Sequence, residues 1–185
     1  MNAKLFFSYL PWLRLPKEVI LQRGLEEDYD EEQIVETSPF KRPQPLPLDG
    51  APGEILELFQ NYDLSRINML WTIFLPEPKK VLEGWQFATM SEARLVLVPS
   101  GRIEAYNDHP IKAIHGDSEY LGALAESMDA YLDAMICGAM IGKHFAPGFA
   151  DDPGVKEKLE PVVQLCTVLA GGPEYEDFWA GVLGL

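Results

Sequence analysis

Three side chains that could bind a metal or exchange protons lie close together in the sequence: His109, His115 and Asp117. Imidazole and carboxylate groups are common zinc ligands and common general acids and bases, so the cluster could form a metal site or an acid–base pair. However, His109 precedes Pro110 in a turn, and nothing supplies a clear third strong ligand. We therefore interpret these three residues as turn and helix-cap residues. An enzyme with an unrecognised site around them is the least favoured alternative.

The motifs of several large enzyme classes are absent from the sequence. There is no Gly-x-Gly-x-x-Gly or Gly-x-x-x-x-Gly-Lys phosphate loop, no Gly-x-Ser-x-Gly nucleophile turn and no His-Glu-x-x-His pair. Cys137 and Cys166 are isolated cysteines, which favours two reduced core residues over a disulfide framework or a metal site. The sequence thus predicts a non-catalytic binding protein with no cofactor and no metal.

Acidic side chains dominate the composition: 29 Asp and Glu stand against 15 Lys and Arg, giving a formal net charge of −14. This charge counts against nucleic-acid binding, which needs cations to replace the counterions on phosphate, and against an anionic membrane surface. A basic protein partner would fit, although solubility alone is a sufficient reason for the charge. No apolar run approaches the roughly 20 residues of a membrane span, and we expect a cytoplasmic protein.

Two parts of the sequence concentrate the acids. Residues 26–36 carry seven acids and no base, which is typical of a solvated loop or arm. A long predicted helix, beginning at Asp117 or Ser118 and ending near Gly142, would carry further acids on its outer face. The candidate partner-binding residues are Glu26, Glu27, Asp28, Asp30, Glu31, Glu32, Glu119, Glu126, Asp129 and Asp133.

The elements that would position these residues follow from periodicity and turn signals. The apolar run at 5–13 favours a buried strand, and the five prolines in residues 39–53 favour an extended connector. This connector divides the chain into an appended segment, 1–50, and a core domain, 51–185. Besides the long helix, the core pattern predicts helices over 52–62, 155–170 and after Pro173, and strands over 66–75, 83–90, 93–98 and 102–106.

Strands and helices are segregated along the chain, which predicts an α+β fold. The expected architecture is a mainly antiparallel sheet of about four to six strands packed against helices. Pro99, Ser100 and Gly101 would form the turn of a hairpin, with Gly101 in the left-handed conformation.

Part of the sequence resembles the SMI1/KNR4, or SUKH, superfamily. The matching stretch starts at Gly84-Trp85, passes through a strand at 94–98 and the turn Gly101-Arg102-Ile103, and continues from Tyr120 to Met135. A helix before the sheet also fits. The resemblance implies a SUKH-like α+β fold without shared catalytic residues. It also implies a function, because many bacterial members are inferred to be immunity proteins that bind and block a toxin, often a nuclease.

The leading hypothesis is therefore an immunity protein that neutralises a cognate bacterial toxin by occluding its active site. Its partner would be a basic toxin domain that meets the acidic residues. The alternative is an intracellular scaffold or regulatory protein-interaction domain, which would bind a partner without protecting against a toxin.

Overall fold

A computed structural model describes residues 1–13, 40–107, 119–142 and 154–185. The helices are α1 (Ala3–Tyr9), α2 (Gly53–Phe59), α3 (Met128–Gly142), α4 (Val155–Ala170) and α5 (Glu176–Leu183), with short 3-10 turns at Leu10–Leu13 and Pro173–Tyr175. The strands are β1 (Phe40–Lys41), β2 (Tyr62–Asp63), β3 (Asn68–Met69), β4 (Thr72–Lys80), β5 (Trp85–Met90), β6 (Ala93–Leu97), β7 (Ile103–Asn107) and β8 (Tyr120–Ala125).

Strands β3 to β8 form one antiparallel sheet in which sequence neighbours are also spatial neighbours. Strands β1 and β2 form a separate two-stranded pair. The turn between β6 and β7 contains Gly101, which has a φ of 92°. This is the left-handed conformation predicted for it, which glycine adopts without a steric cost. The predicted α+β fold with an antiparallel sheet is confirmed.

A chain of aromatic rings runs through the core between the sheet and the helices. The ring centroids are 6.0 Å apart for Phe6 and Phe74, 6.2 Å for Phe74 and Phe87, 5.8 Å for Phe87 and Tyr131, and 6.1 Å for Tyr131 and Trp179. These separations are those of favourable tilted or edge-to-face aromatic pairs. The chain joins α1, the central strands, α3 and α5 into one core.

The strand predicted at residues 5–13 is wrong, because this stretch forms α1 and a 3-10 turn. The side chain of Asn2 caps the helix by accepting a hydrogen bond from the Leu5 amide at 3.1 Å. Ala3, Phe6 and Leu10 are buried at helical spacing. A short apolar run does not distinguish a strand from a buried helix, and here the cap and the three-to-four-residue spacing decide.

The long helix predicted from Asp117 or Ser118 begins later, at Met128, and residues 120–125 form strand β8 instead. The spacing of Leu121, Leu124 and Ala125 is helical, but three positions are too few to decide the conformation. Pairing with β7 and a φ of 149° at Gly122 set the extended conformation. The Ser127 hydroxyl then accepts a hydrogen bond from the Ala130 amide at 3.1 Å, as an N-cap residue does.

The single strand predicted over 66–75 is a hairpin of β3 and β4, with Leu70 and Trp71 at its tip. Strand β4 also continues past Pro76, where the prediction ended it. A register shift between Phe74 and Lys79 interrupts the pairing with β5 around Pro76. Proline lacks an amide donor, so such an irregular stretch can accommodate it.

The described part of the proline-rich connector is attached to the core by Arg42. Its guanidinium Nε donates to the carbonyl oxygens of Phe59 at 3.2 Å and Tyr62 at 3.0 Å, and its Nη2 donates to the carbonyl of Pro76. These bonds tie the connector to α2, β2 and β4. Residues 1–13 and 40–50, which the prediction assigned to an appended segment, both contact the core. In the described parts of the chain, no helix has the length and apolar character needed to cross a membrane.

Candidate partner-binding surfaces

Many of the predicted site residues lie outside the described residues. These are the acids of the first block, Glu26, Glu27, Asp28, Asp30, Glu31 and Glu32, and the cluster of His109, His115 and Asp117. Glu119, Glu126, Asp129 and Asp133 are described, so the second acidic group can be compared with its prediction.

The predicted long helix would have placed the four described acids on one face, but they do not share a helix face. Glu119 precedes β8, Glu126 follows it, and only Asp129 and Asp133 lie on α3. The predicted helix face is wrong because the residues before Met128 are extended. The amino group of Met1 lies beside both acids of α3: it is 2.7 Å from the Asp133 carboxylate and donates to the Asp129 backbone carbonyl at 2.7 Å. That these acids contact a partner stays a prediction.

Acids flank both ends of β8, which is the last strand in the order of the described sheet: Glu119 precedes it and Glu126 follows it. The amide of Glu126 donates to the carbonyl of Ala170 at 2.8 Å, and the Glu126 side chain lies directly over Gly171. This contact places the turn before α5, with its exposed Glu174, beside the end of β8. We call four exposed carboxylates, on the segments that flank β8 and on the adjoining turn, the acidic strip: Glu119, Glu126, Asp129 and Glu174.

Tyr175 lies within the acidic strip and is almost completely buried. Its pKa is raised, first by burial and then by the negative charge of Glu174; Glu126 raises it further, and Arg102 opposes them. The phenol therefore stays neutral and adds no charge of its own. The sequence has no Lys or Arg between Lys112 and Lys143 and none after Lys158, so the segments that form the strip contribute no cationic side chain. The amino group of Met1 nevertheless lies next to Asp129.

Arg102, the cation beside Tyr175, is engaged by Glu104. Among the described residues, Glu104 is the one acidic side chain that is buried. It accepts hydrogen bonds from the Arg102 guanidinium and, at 2.6 Å, from the Tyr106 hydroxyl. The pKa of Tyr106 is raised, first by burial and then by this hydrogen bond, so Tyr106 remains a neutral donor. Sequence reasoning missed this network, because nothing in the pattern marks Glu104 as buried.

The network extends across the same side of the sheet. The Arg94 guanidinium is 3.4 Å from the Glu83 carboxylate and 6.0 Å from the centre of the Tyr106 ring, which in turn stands edge-on to Tyr120 at 5.7 Å. Both arginines are thus paired with carboxylates. The carboxylates of Glu83 and Glu104 thus already accept hydrogen bonds from neighbouring side chains. A polar network that is satisfied in this way is rigid, which suits a recognition surface beside the acidic strip.

A second candidate surface surrounds the tip of the β3–β4 hairpin. Leu70 and Trp71 have φ values of 49° and 65°, a left-handed conformation that costs a residue other than glycine roughly 1 to 3 kcal/mol. Leu70 packs on Gly138 of α3, where an added Cβ would lie 2.7 Å from its methyl group. Trp71 is 70% exposed and borders a groove of about 530 Å³. We call this the Trp71 groove; its lining residues are Trp71, Met90, Ser91, Asp177, Phe178, Gly181 and Val182.

In residues 1–13, 40–107, 119–142 and 154–185, no three His, Cys, Asp or Glu side chains come together in a way that could hold a metal ion.

Comparison with known proteins identifies no relative: no family model, no curated protein and no solved structure matches the chain. The resemblance to the SUKH superfamily therefore stays a prediction. The class of this protein has to be inferred from its surfaces, and the acidic strip is the most distinctive of them.

Proposed function

We propose that this chain is a non-catalytic protein-binding module, an immunity protein of the SUKH type that neutralises a cognate toxin by covering its active site. The observation that carries the proposal is the acidic strip. Glu119, Glu126, Asp129 and Glu174 are all exposed and come from sequence segments without a base. The neighbouring Arg102 is already bound to Glu104.

The chemistry of the strip indicates the kind of toxin. A nuclease domain needs a basic cleft to bind the phosphate backbone of its substrate. The exposed carboxylates of the strip would present the same sign of charge to that cleft as the substrate and compete with it. Complementary fields of this kind raise association rates by about 10- to 1,000-fold. Fast capture is what protection requires, because a free nuclease damages its host at once.

The side chains around the strip add contacts of a second kind. Tyr120 and Leu121 are each more than half exposed on the same edge strand, between Glu119 and Glu126. Protein interfaces combine apolar or aromatic centres with a polar rim, and Tyr is enriched in them. As neighbours in a strand, Tyr120 and Leu121 project to opposite faces, so β8 presents apolar surface on both of its faces beside the charges that would steer association.

The proposal predicts that a toxin domain is encoded beside this chain's gene, and the test is protection against that domain. Co-expression of the chain is expected to rescue cells from that domain, and the purified chain is expected to inhibit its nuclease activity at a one-to-one ratio. If the chain bound the domain without inhibiting it or rescuing cells, a scaffold or regulatory function would replace the proposed one.

A further inference from the structure

We propose that the Trp71 groove is a second contact for the same partner, and that it receives an apolar side chain with a basic residue next to it. This inference rests on the proposed function and adds the part of the partner that the groove would recognise. In this division, the acidic strip accelerates association and the Trp71 groove slows dissociation.

The hairpin holds Trp71 in place before any partner arrives. At its base, the Thr72 hydroxyl and the Tyr131 hydroxyl are 2.8 Å apart in a buried hydrogen bond. At its tip, Leu70 is packed against Gly138 and thereby fixes the left-handed turn. The indole of Trp71 is directed outward from this anchored turn and remains 70% exposed. Because the backbone of this turn is already anchored and a tryptophan side chain has only two rotatable bonds, little conformational entropy is lost on binding, which makes Trp71 suited to be a binding hot spot.

The lining of the groove specifies the chemistry of its occupant. Trp71, Met90, Phe178 and Val182 present apolar surface, and among the lining residues that the structure describes Asp177 is the charged one. No Lys or Arg occurs in residues 67–78, 81–93 or 171–185, from which the lining residues come. An apolar side chain would fill the groove, and an adjacent Lys or Arg of the partner would meet the carboxylate of Asp177.

Two other occupants fit the groove less well. An exposed indole can stack on a nucleobase, but proteins that bind single strands surround such rings with positive charge, and here the charged neighbour is Asp177. A second copy of this chain would bring together two molecules that each carry a net charge of −14. A basic protein has neither disadvantage.

The test compares Trp71→Ala with Trp12→Ala, because the two tryptophans are 70% and 68% exposed. Binding to the toxin domain encoded beside the gene is followed in real time at physiological salt. Trp71→Ala is expected to accelerate dissociation roughly 30-fold or more while association changes little, and Trp12→Ala is expected to stay within about threefold of the wild type. Asp177→Asn is expected to weaken binding by a smaller factor, roughly 5- to 10-fold.

A further variant, Trp71→Gly, separates binding from folding, since glycine relieves the left-handed turn while it removes the indole. It should unfold at the same temperature as the wild type or higher, and still dissociate as fast as Trp71→Ala.

If Trp71→Ala and Trp12→Ala dissociated at the wild-type rate from a toxin that the chain inhibits, this inference would be overturned and the proposed function would stand. A dimer of the free chain that Trp71→Ala dissociates would also overturn it. Absence of any binding by the wild-type chain would overturn both.

Discussion

Glu104 is a buried acid whose carboxylate is hydrogen-bonded within the protein. Its neighbours Ile103 and Ala105 point into the core, so its own side chain projects from the other side of β7. There it accepts hydrogen bonds from Arg102 and Tyr106, which compensate for the loss of water around a buried carboxylate. The network therefore fixes the rings of Tyr106 and Tyr120 beside the acidic strip.

Three tyrosines should make the protein sensitive to alkaline conditions. The pKa values of Tyr106, Tyr131 and Tyr175 are all raised, chiefly by burial, above the ordinary value of 10.0. Each phenol then ionises in the unfolded chain before it does so in the folded one. The stability they contribute is complete below about pH 10 and is lost above it, by up to about 1.4 kcal/mol per pH unit for each tyrosine.

The measurement is the free energy of unfolding as a function of pH, with tyrosinate absorbance recorded on the folded protein. We expect stability to decline above pH 10 and the decline to be less steep in Tyr106→Phe. Ionisation of all the tyrosines near pH 10 in the folded state, with no loss of stability, would contradict the burial described for these side chains.

The elements differ in how well the sequence predicts them. The bounds predicted for α4, 155–170, are those observed, because Gly171 ends the helix with a φ of 122° and a clear amphipathic period precedes it. The sequence predicts a helix where strand β8 forms. Six residues with a mixed apolar pattern have no decisive period, so pairing with β7 determines their conformation. The β3–β4 turn was missed because Leu70 and Trp71 are not the Asn-Gly type of residue that marks such turns.

The connector gives a test of how the early part of the chain is held. Arg42 donates to three backbone carbonyls from two separate nitrogens of its planar guanidinium, whereas a lysine carries its donors on a single nitrogen. Arg42→Lys is expected to lower the free energy of unfolding by about 1 to 3 kcal/mol, measured by urea denaturation. The control is Lys41→Gln at the exposed neighbouring position, which is expected to change it by less than about 0.5 kcal/mol. Equal effects of the two variants would mean that the hydrogen bonds of Arg42 do not stabilise the fold.

For the molecule as a unit, the sequence predicts the fold class and the sign of the charge but not the geometry of the site. Segregated strands and helices are sufficient to indicate α+β. The sequence predicts Glu119, Glu126 and Asp129 as exposed acids, which they are, but it places them on a helix face that does not form. Glu174 joins them only because the turn after α4 packs against the end of β8, and such a long-range contact has no local signal.

The charge of the acidic strip is the central claim, and its effect must be separated from that of net charge alone. Two quadruple variants remove the same number of charges. One replaces the strip with Glu119→Gln, Glu126→Gln, Asp129→Asn and Glu174→Gln. The other replaces four exposed acids elsewhere, on α2, β4 and α4, with Glu54→Gln, Glu57→Gln, Glu77→Gln and Glu160→Gln.

The most direct measurement is the association rate constant of each variant with the toxin domain encoded beside the gene, over a series of salt concentrations. The strip variant is expected to associate roughly tenfold more slowly than the wild type at low salt and to show a shallower salt dependence. The matched control is expected to stay close to the wild type. If both variants associated equally fast and with the same salt dependence, the acidic strip would not be the surface that meets the toxin.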